Sequence, residues 1–273
     1  SAFRGNRVDA SPSGAGAGGA LCLNLGGPTR IRFSEFDGNV AYEGGAIEVS
    51  PWSGKDPSLV FDVANTTFVG NSATFQGGAI SLWDVASRFV NLVVAANTAS
   101  DPVWGSGGAF SLIGSHPARI AHSTFVDNSA GSGSSTVGAH ANGGAVYVTS
   151  NSFGVLPDVE IVNSLFSRNW SPDGRHIYEL NHEVTVRGTC LDGETWPGPG
   201  EGNLSSTPTF ETDGGYVPAA TSPTVDAALL GAVPADVDDV NDDGDLAESL
   251  PWDLARSPRV VRAPDMGAYE RAR

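Results

Sequence analysis

The most concentrated chemistry in the chain is the run Asp239-Val240-Asn241-Asp242-Asp243-Gly244-Asp245. Between Asp236 and Asp253 there are eight carboxylates and no basic side chain. Such crowding is unfavourable unless solvent or a cation relieves it. Asp, Asn and Asp at alternating positions before a glycine match the first half of a calcium loop, with hard oxygen ligands on a sharp turn. The match then stops, because the twelfth position is Leu250 rather than Glu and no flanking helices are evident. One reading is a structural Ca2+ site built from Asp239, Asn241, Asp243 and Asp245, with Glu248 or Asp253 supplying a further carboxylate. The other is an exposed, solvated acidic loop.

A second group is Arg175, His176, Tyr178, His182 and Glu183. It holds the side chains that a polysaccharide lyase needs, a base together with a cation to neutralise a uronate carboxylate. Its alternative is decoration on the outside of the fold. A third group is aromatic: Trp52, Trp83, Trp104, Trp170 and Tyr147. Exposed rings of this kind stack on sugars, or else pack against neighbouring loops. Motifs of other enzymes are missing. The chain has no Gly-x-Ser-x-Gly, no His-Glu-x-x-His and no phosphate-binding Gly-x-x-x-x-Gly-Lys-(Ser/Thr).

The elements that would position these groups are set by a repeat. Gly-Gly-Ala followed by an apolar residue occurs at Gly18, Gly44, Gly77, Gly107 and Gly143. Between these copies lies Phe-x-x-Asn, at Phe3/Asn6, Phe36/Asn39, Phe68/Asn71, Phe125/Asn128 and Phe166/Asn169, with a degenerate Val94/Asn97. The two motifs alternate at a step of about thirty residues until Asn169, after which Gly-Gly-Ala disappears. Short segments such as Ile47-Glu48-Val49, Ile80-Ser81-Leu82 and Val146-Tyr147-Val148 alternate with the period of two that marks a strand. Strands too short to bury their own faces, at a fixed repeat, predict a solenoid. The expected fold is all-β, a right-handed parallel β-helix of about six to seven coils over residues 1–202. Phe would stack on Phe, and each Asn amide would offer a donor and an acceptor to the next rung. A propeller is disfavoured, since a blade needs four strands in about 40–45 residues and carries its own signatures.

Composition agrees. The 35 glycines are nearly twice the usual share of ~7%. A formal charge of -16 argues against nucleic acid and anionic membranes, which need clustered Lys and Arg. No apolar run approaches the ~20 residues of a transmembrane helix. On a solenoid Cys22 and Cys190 would lie several rungs apart, beyond the ~7 Å reach of a disulfide, so two free thiols are expected.

The alternating Phe-x-x-Asn-(Ser/Val)-Ala and Gly-Gly-Ala-(Ile/Leu/Val) units resemble the repeats of polymorphic outer-membrane protein passengers, and of secreted bacterial β-helix proteins more broadly, over Ser1 to Asn169. Residues 203–273 are proline-rich and acidic. Ser222-Pro223-Thr224-Val225-Asp226-Ala227 and Asp265-Met266-Gly267-Ala268-Tyr269-Glu270 resemble the closing segment of choice-of-anchor proteins, with a departure at Ala255 to Arg259. That segment is expected to form an irregular cap, with Trp252 and Tyr269 covering the last apolar rungs. At the other end Ser1 stands two residues before a Phe-x-x-Asn motif. Either earlier coils were trimmed, or a neighbouring protein chain or copy covers the first coil.

The resemblance implies a secreted or cell-surface bacterial protein; the acidic run adds an expectation of calcium stabilisation, and the missing enzyme motifs favour a non-catalytic structural or adhesive role with glycans or a neighbouring chain as partners. The alternative is a polysaccharide lyase or glycosidase, because β-helices often host such enzymes. A glycosidase needs two opposed carboxylates, and outward positions such as Glu43, Glu48, Asp84 and Glu160 cannot be paired from sequence.

Overall fold

The computed structural model describes residues 1–9, 16–51, 59–114, 116–131, 141–150, 157–179, 184–212, 214–237 and 239–271. Among these, regular structure is strand apart from a short 3-10 turn at Leu230–Ala232. The strands form three sheets, and every paired strand within them is parallel to its neighbour. One sheet is six-stranded, running from Leu21–Leu25 through Ile47–Pro51, Ile80–Trp83, Phe110–Ile113 and Val146–Thr149 to Ile177–Glu179. The largest sheet contains the long strands Val60–Val69 and Ala86–Ala95. The smallest runs through Val40–Glu43, Ser72–Gln76, Thr98–Ala99 and Ser129–Ala130. This is the parallel β-helix solenoid that the repeats predict.

Like residues stack because register repeats. Ile47, Ile80, Phe110, Val146 and Ile177 are partners in one sheet, and all are buried. The Phe-x-x-Asn rings form a second stack, with centroids 4.7 Å apart for Phe3–Phe36, 4.9 Å for Phe36–Phe68 and 4.7 Å for Phe125–Phe166. Val94 occupies the rung between Phe68 and Phe125. The space left by its missing ring is taken from another sheet. Phe110 inserts edge-on, 6.2 Å from Phe68 and 5.2 Å from Phe125.

The asparagines form an uninterrupted ladder. Asn39 Oδ1 accepts the backbone N–H (3.0 Å) and Nδ2 (2.8 Å) of Asn6, while its own Nδ2 donates to Asn71 Oδ1 (2.8 Å) and Phe3 O (3.0 Å). Asn71, Asn97 and Asn128 repeat the pattern. Both amide hydrogens and the carbonyl oxygen are thus satisfied out of contact with water, which an Asp could not achieve.

The paired glycines have separate roles. The first is left-handed in every copy, as at Gly107 with φ 63°. The second sits where a Cβ would overlap the backbone of the following coil, Gly108 against the carbonyl oxygen of Gly144. We expect Gly108→Ala to cost more than about 2 kcal/mol, because backbone on both sides is stacked and cannot yield. Chemical denaturation would measure it, and a loss under 0.5 kcal/mol would refute the stacking argument.

The Gly-Gly-Ala element that ends after Gly143 in the sequence persists in the fold. Gly174-Arg175-His176-Ile177 makes the same turn, with Gly174 at φ 64° and Ile177 paired to Val146. Its carbonyls accept from the previous turn, at 3.2 Å for Gly144 N to Gly174 O. Arg175 is exposed where Gly144 faces the backbone of the following coil, so a side chain is tolerated there.

The chain beyond the last strand, Cys190–Leu191, does more than cap, and its start lies before residue 203. Its first part closes the end: Pro199, Glu201 and Leu204 accept backbone hydrogen bonds from Val186, Gly188 and Leu191, and Trp196 packs on the main core. Its remainder runs back along the outside of the largest sheet as a strap. Phe210, Ala228 and Met266 pack against Val126, Leu165 and Cys190. Ala232, Val240, Leu250 and Trp252 cover the outward row Ala64, Val90, Ala121 and Val162. At its far end Arg32 Nη1 donates to Asp239 O (2.8 Å), and Arg256 lies 4.6 Å over the ring of Phe33.

Candidate functional site

His176 lies in the slot that Ala holds in the other copies, and it is fully buried. Decoration is therefore the wrong description of it. Asn169 is the last rung of the ladder, and its Nδ2 faces His176 Nδ1 at 3.3 Å. The imidazole supplies the acceptor that the next asparagine would have given. Its Nε2 points at the carbonyl oxygen of Asp192, 3.0 Å away, so the neutral Nε2–H tautomer satisfies both contacts. Burial pushes the His176 pKa below its ordinary value, opposed by the Asp192 carbonyl and assisted by Arg175.

A pH dependence follows. The folded chain sheds this proton more readily than the unfolded one. The stability it supplies is complete above about pH 6.5 and is lost as pH falls from there toward the folded-state value. His122, also buried with a lowered pKa, acts in the same direction, whereas Glu270, raised to about 7, acts oppositely. The contribution of His176 is therefore read as a difference. Wild type should lose stability relative to His176→Gln as pH falls below 6.5. Parallel stability curves in denaturant would disprove it.

The rest of the Arg175 group does not gather into a centre. Arg175 Nη1 reaches Asp192 O at 3.4 Å on the surface. Tyr178 faces outward and stacks on Tyr147, with centroids 5.9 Å apart. His182 and Glu183 lie outside the described residues.

The acidic run forms an exposed loop stitched by its own side chains. Asp239 Oδ1 accepts from Gly244 N, Asp243 Oδ1 from Asp245 N, and Asp245 Oδ1 from Ala247 N. Asn241 Nδ2 donates to both Asp243 and Glu248 at 2.8 Å. Asp239, Asn241, Asp243, Asp245 and Glu248 are therefore drawn into one loop, and their hard oxygens suit calcium. Among the described residues no three His, Cys, Asp or Glu side chains converge on one point. Asp253 stands apart from the loop. It is buried, and its two oxygens accept the N–H groups of Ser257 (2.7 Å) and Glu270 (2.8 Å) within the strap.

The outward carboxylates pair in a way the sequence does not reveal. Asp62 is held by Arg88, with Nε to Oδ1 at 2.8 Å, and Glu160 by Arg119 at 2.9 Å. Among the described residues Glu43 and Glu48 have no such cation. Burial raises both carboxyls, and the charge of Glu43 raises Glu48 further. Glu48 also accepts from the Cys22 thiol at 3.4 Å. Cys22 and Cys190 are both free thiols, with burial pushing Cys190 up to about 12. Of the aromatic candidates, Trp104 and Trp170 are exposed, Trp83 and Tyr147 are half-buried, and Trp52 lies outside the described residues.

Fold and ladders together define the class of a parallel β-helix repeat protein. Within it, residues 65–82 match the Chlamydia polymorphic membrane protein (Chlamydia_PMP) repeat. That stretch runs from the left-handed corner at Asn65 through Phe68, Asn71 and the Gly77-Gly78 turn into the strand Ile80–Trp83, which is the part of one coil that carries both repeated motifs. No curated protein and no solved structure matches the chain. No helix is long and apolar enough to cross a membrane among the described residues.

Proposed function

We propose that the chain is part of a bacterial cell-surface protein, a rigid β-helix that serves structure and adhesion rather than catalysis. One observation carries this reading. The buried ionisable groups His176, His122, Asp253, Asp265 and Arg259 are each engaged in holding the fold, at the end of a ladder or beneath the strap. The match to a repeat of bacterial membrane proteins supports the surface location. Protease digestion of intact cells of the source bacterium tests it, since the chain should be cleaved without lysis. Protection until lysis would overturn the assignment.

Calcium bound by Asp239, Asn241, Asp243, Asp245 and Glu248 would relieve the repulsion within the acidic loop. A chelator should then lower the melting temperature, and millimolar calcium should restore it. Because a ligand of the native state stabilises by RT ln(1 + [L]/Kd), calcium at about a hundred times Kd supplies roughly 2.7 kcal/mol. An unchanged melting curve would remove calcium from the account.

A second reading, a glycosidase, is favoured only by Glu43 and Glu48, both raised by burial, with the charge of Glu43 adding to the rise of Glu48. Incubation with neutral and acidic polysaccharides, with and without calcium, separates the two. New reducing or unsaturated ends, abolished by Glu43→Gln or Glu48→Gln, would establish the enzyme and end the non-catalytic reading.

A further inference from the structure

A row of polar side chains runs along one corner of the solenoid, at the residue before each pair of glycines. Gln76 is in register with Glu43 on one side and with Ser106 on the other. Asn142 continues the row, accepting from Gly107 N at 2.8 Å, and Asp173 follows in register with Asn142. Adjacent rungs stand about 4.8 Å apart. The middle of this row is the floor of a groove of about 280 Å³. Phe75 and Trp104 form one wall, and the stacked pair Tyr147 and Tyr178 forms the other. Gln76 is only 4% exposed, and among the described residues its Nε2 makes no close hydrogen bond, although it lies near enough to Glu43 to lower that carboxyl. Trp104 is 55% exposed at the rim.

Aromatic walls, a polar floor and a buried amide donor without a close partner together describe a site for a ring that is apolar on its face and hydroxylated at its edge. We propose that this groove binds a neutral pyranose oligosaccharide, with a sugar ring stacked on Trp104 and hydroxyls bonded to Gln76 Nε2, Ser106 and Asn142. Neutrality comes from the surroundings. Glu43 and Asp173 stand at the two ends of the row, and the chain carries a formal charge of -16, so a polyuronate would be repelled. The groove is somewhat smaller than the roughly 300–1,000 Å³ clefts that enclose drug-sized ligands, which suits one or a few rings at a time. This inference gives the adhesive reading its ligand class and rests on that reading for its biological sense alone.

The test uses the full chain, with gluco-, manno- and galacto-oligosaccharides beside oligouronates, read by titration calorimetry and by tryptophan fluorescence. At least one neutral series should bind and perturb the fluorescence. Trp104→Ala should weaken that binding by about tenfold or more, and Gln76→Leu by a similar factor. Trp170→Ala, which changes an exposed tryptophan outside the groove, should leave it within twofold. Because Gln76 is buried, its variant counts only with an unaltered melting curve, and Trp104→Ala carries the test otherwise. No binding of any neutral series at millimolar concentration, tighter binding of uronates, or an undiminished Trp104→Ala would overturn the proposal. If all sugars fail while the chain still adheres to cell surfaces, the groove is refuted and the adhesive reading survives. If sugars bind but the chain is not surface-exposed in cells, the reverse holds.

Discussion

Phe110→Ala should destabilise the solenoid by about 3–5 kcal/mol, the usual range for deleting a fully buried ring. Phe110 is fully buried and touches three other rings: Phe68 and Phe125 edge-on, and Phe89 at 4.9 Å. It is the ring that bridges the gap left by Val94. Removing it leaves Phe68 and Phe125 facing a void across one rung, with no neighbour free to collapse into it because backbone stacks fix the spacing. The companion experiment moves the ring back into its own stack. Phe110→Val combined with Val94→Phe restores the aromatic count and returns the stack to face-to-face contact. The pair should recover more than half of the loss shown by Phe110→Val alone, a coupling that denaturation of all four chains would measure. Simple additivity would show that Phe110 does not compensate for Val94.

Arg259→Met should cost about 3–5 kcal/mol and release the strap, because it removes the one buried Arg or Lys among the described residues, which lies beside several buried acidic groups. The Arg259 guanidinium is fully buried. It donates to Asn91 Oδ1 (2.5 Å), Gly267 O (3.1 Å) and Ala268 O (2.8 Å), with Glu270 4.0 Å away. Burial lowers its pKa to about 10, against the pull of Asp253, Glu270 and Asp265. Glu270, raised to about 7 by burial, sits close to its titration point already. Without Arg259 these carboxyls would protonate or drag the segment into water. Arg259→Lys should rescue little, since one ammonium cannot replace a planar fork serving three acceptors. Limited proteolysis reads the outcome directly. Cleavage within residues 206–271 should appear in Arg259→Met while the solenoid stays intact. A variant as resistant as wild type would show that the apolar contacts alone retain the strap.

How much of this was legible beforehand differs from element to element. Phe-x-x-Asn and Gly-Gly-Ala are visible because each residue faces the same environment on every coil, so the same side chain is demanded each time. Gly174-Arg175-His176 escaped recognition because the demand for a second glycine comes from the next coil. Where that coil stops, the motif dissolves although the turn persists. In the sequence His176 therefore reads as surface chemistry, although it occupies an interior slot and ends the ladder. The strap was harder. Its docking depends on outward residues such as Ala64, Val90 and Ala121, which a period-two reading assigns to solvent. One signal was available: Val93-Val94-Ala95 breaks the alternation, as a strand covered on both faces does. Asp253, grouped by sequence proximity with the acidic loop, belongs instead to the strap. The pairing of Glu43 with Glu48 could not be read, since it arises where one corner of the solenoid meets the next strand.

The strap bears on how such a chain can change over time. Solenoids ordinarily gain or lose whole repeats with little penalty, because each unit touches only its neighbours. Here the C-terminal segment is keyed to particular coils: Leu229 to Asn163, Arg259 to Asn91, and Asp239 to Arg32. Inserting a coil between Asn91 and Asn163 would move two of these anchors apart by about 4.8 Å, and deleting one would bring them together by the same step. The strap is thus a ruler, and it fixes the number of coils between Arg32 and Asn163 where other repeat arrays are free to drift.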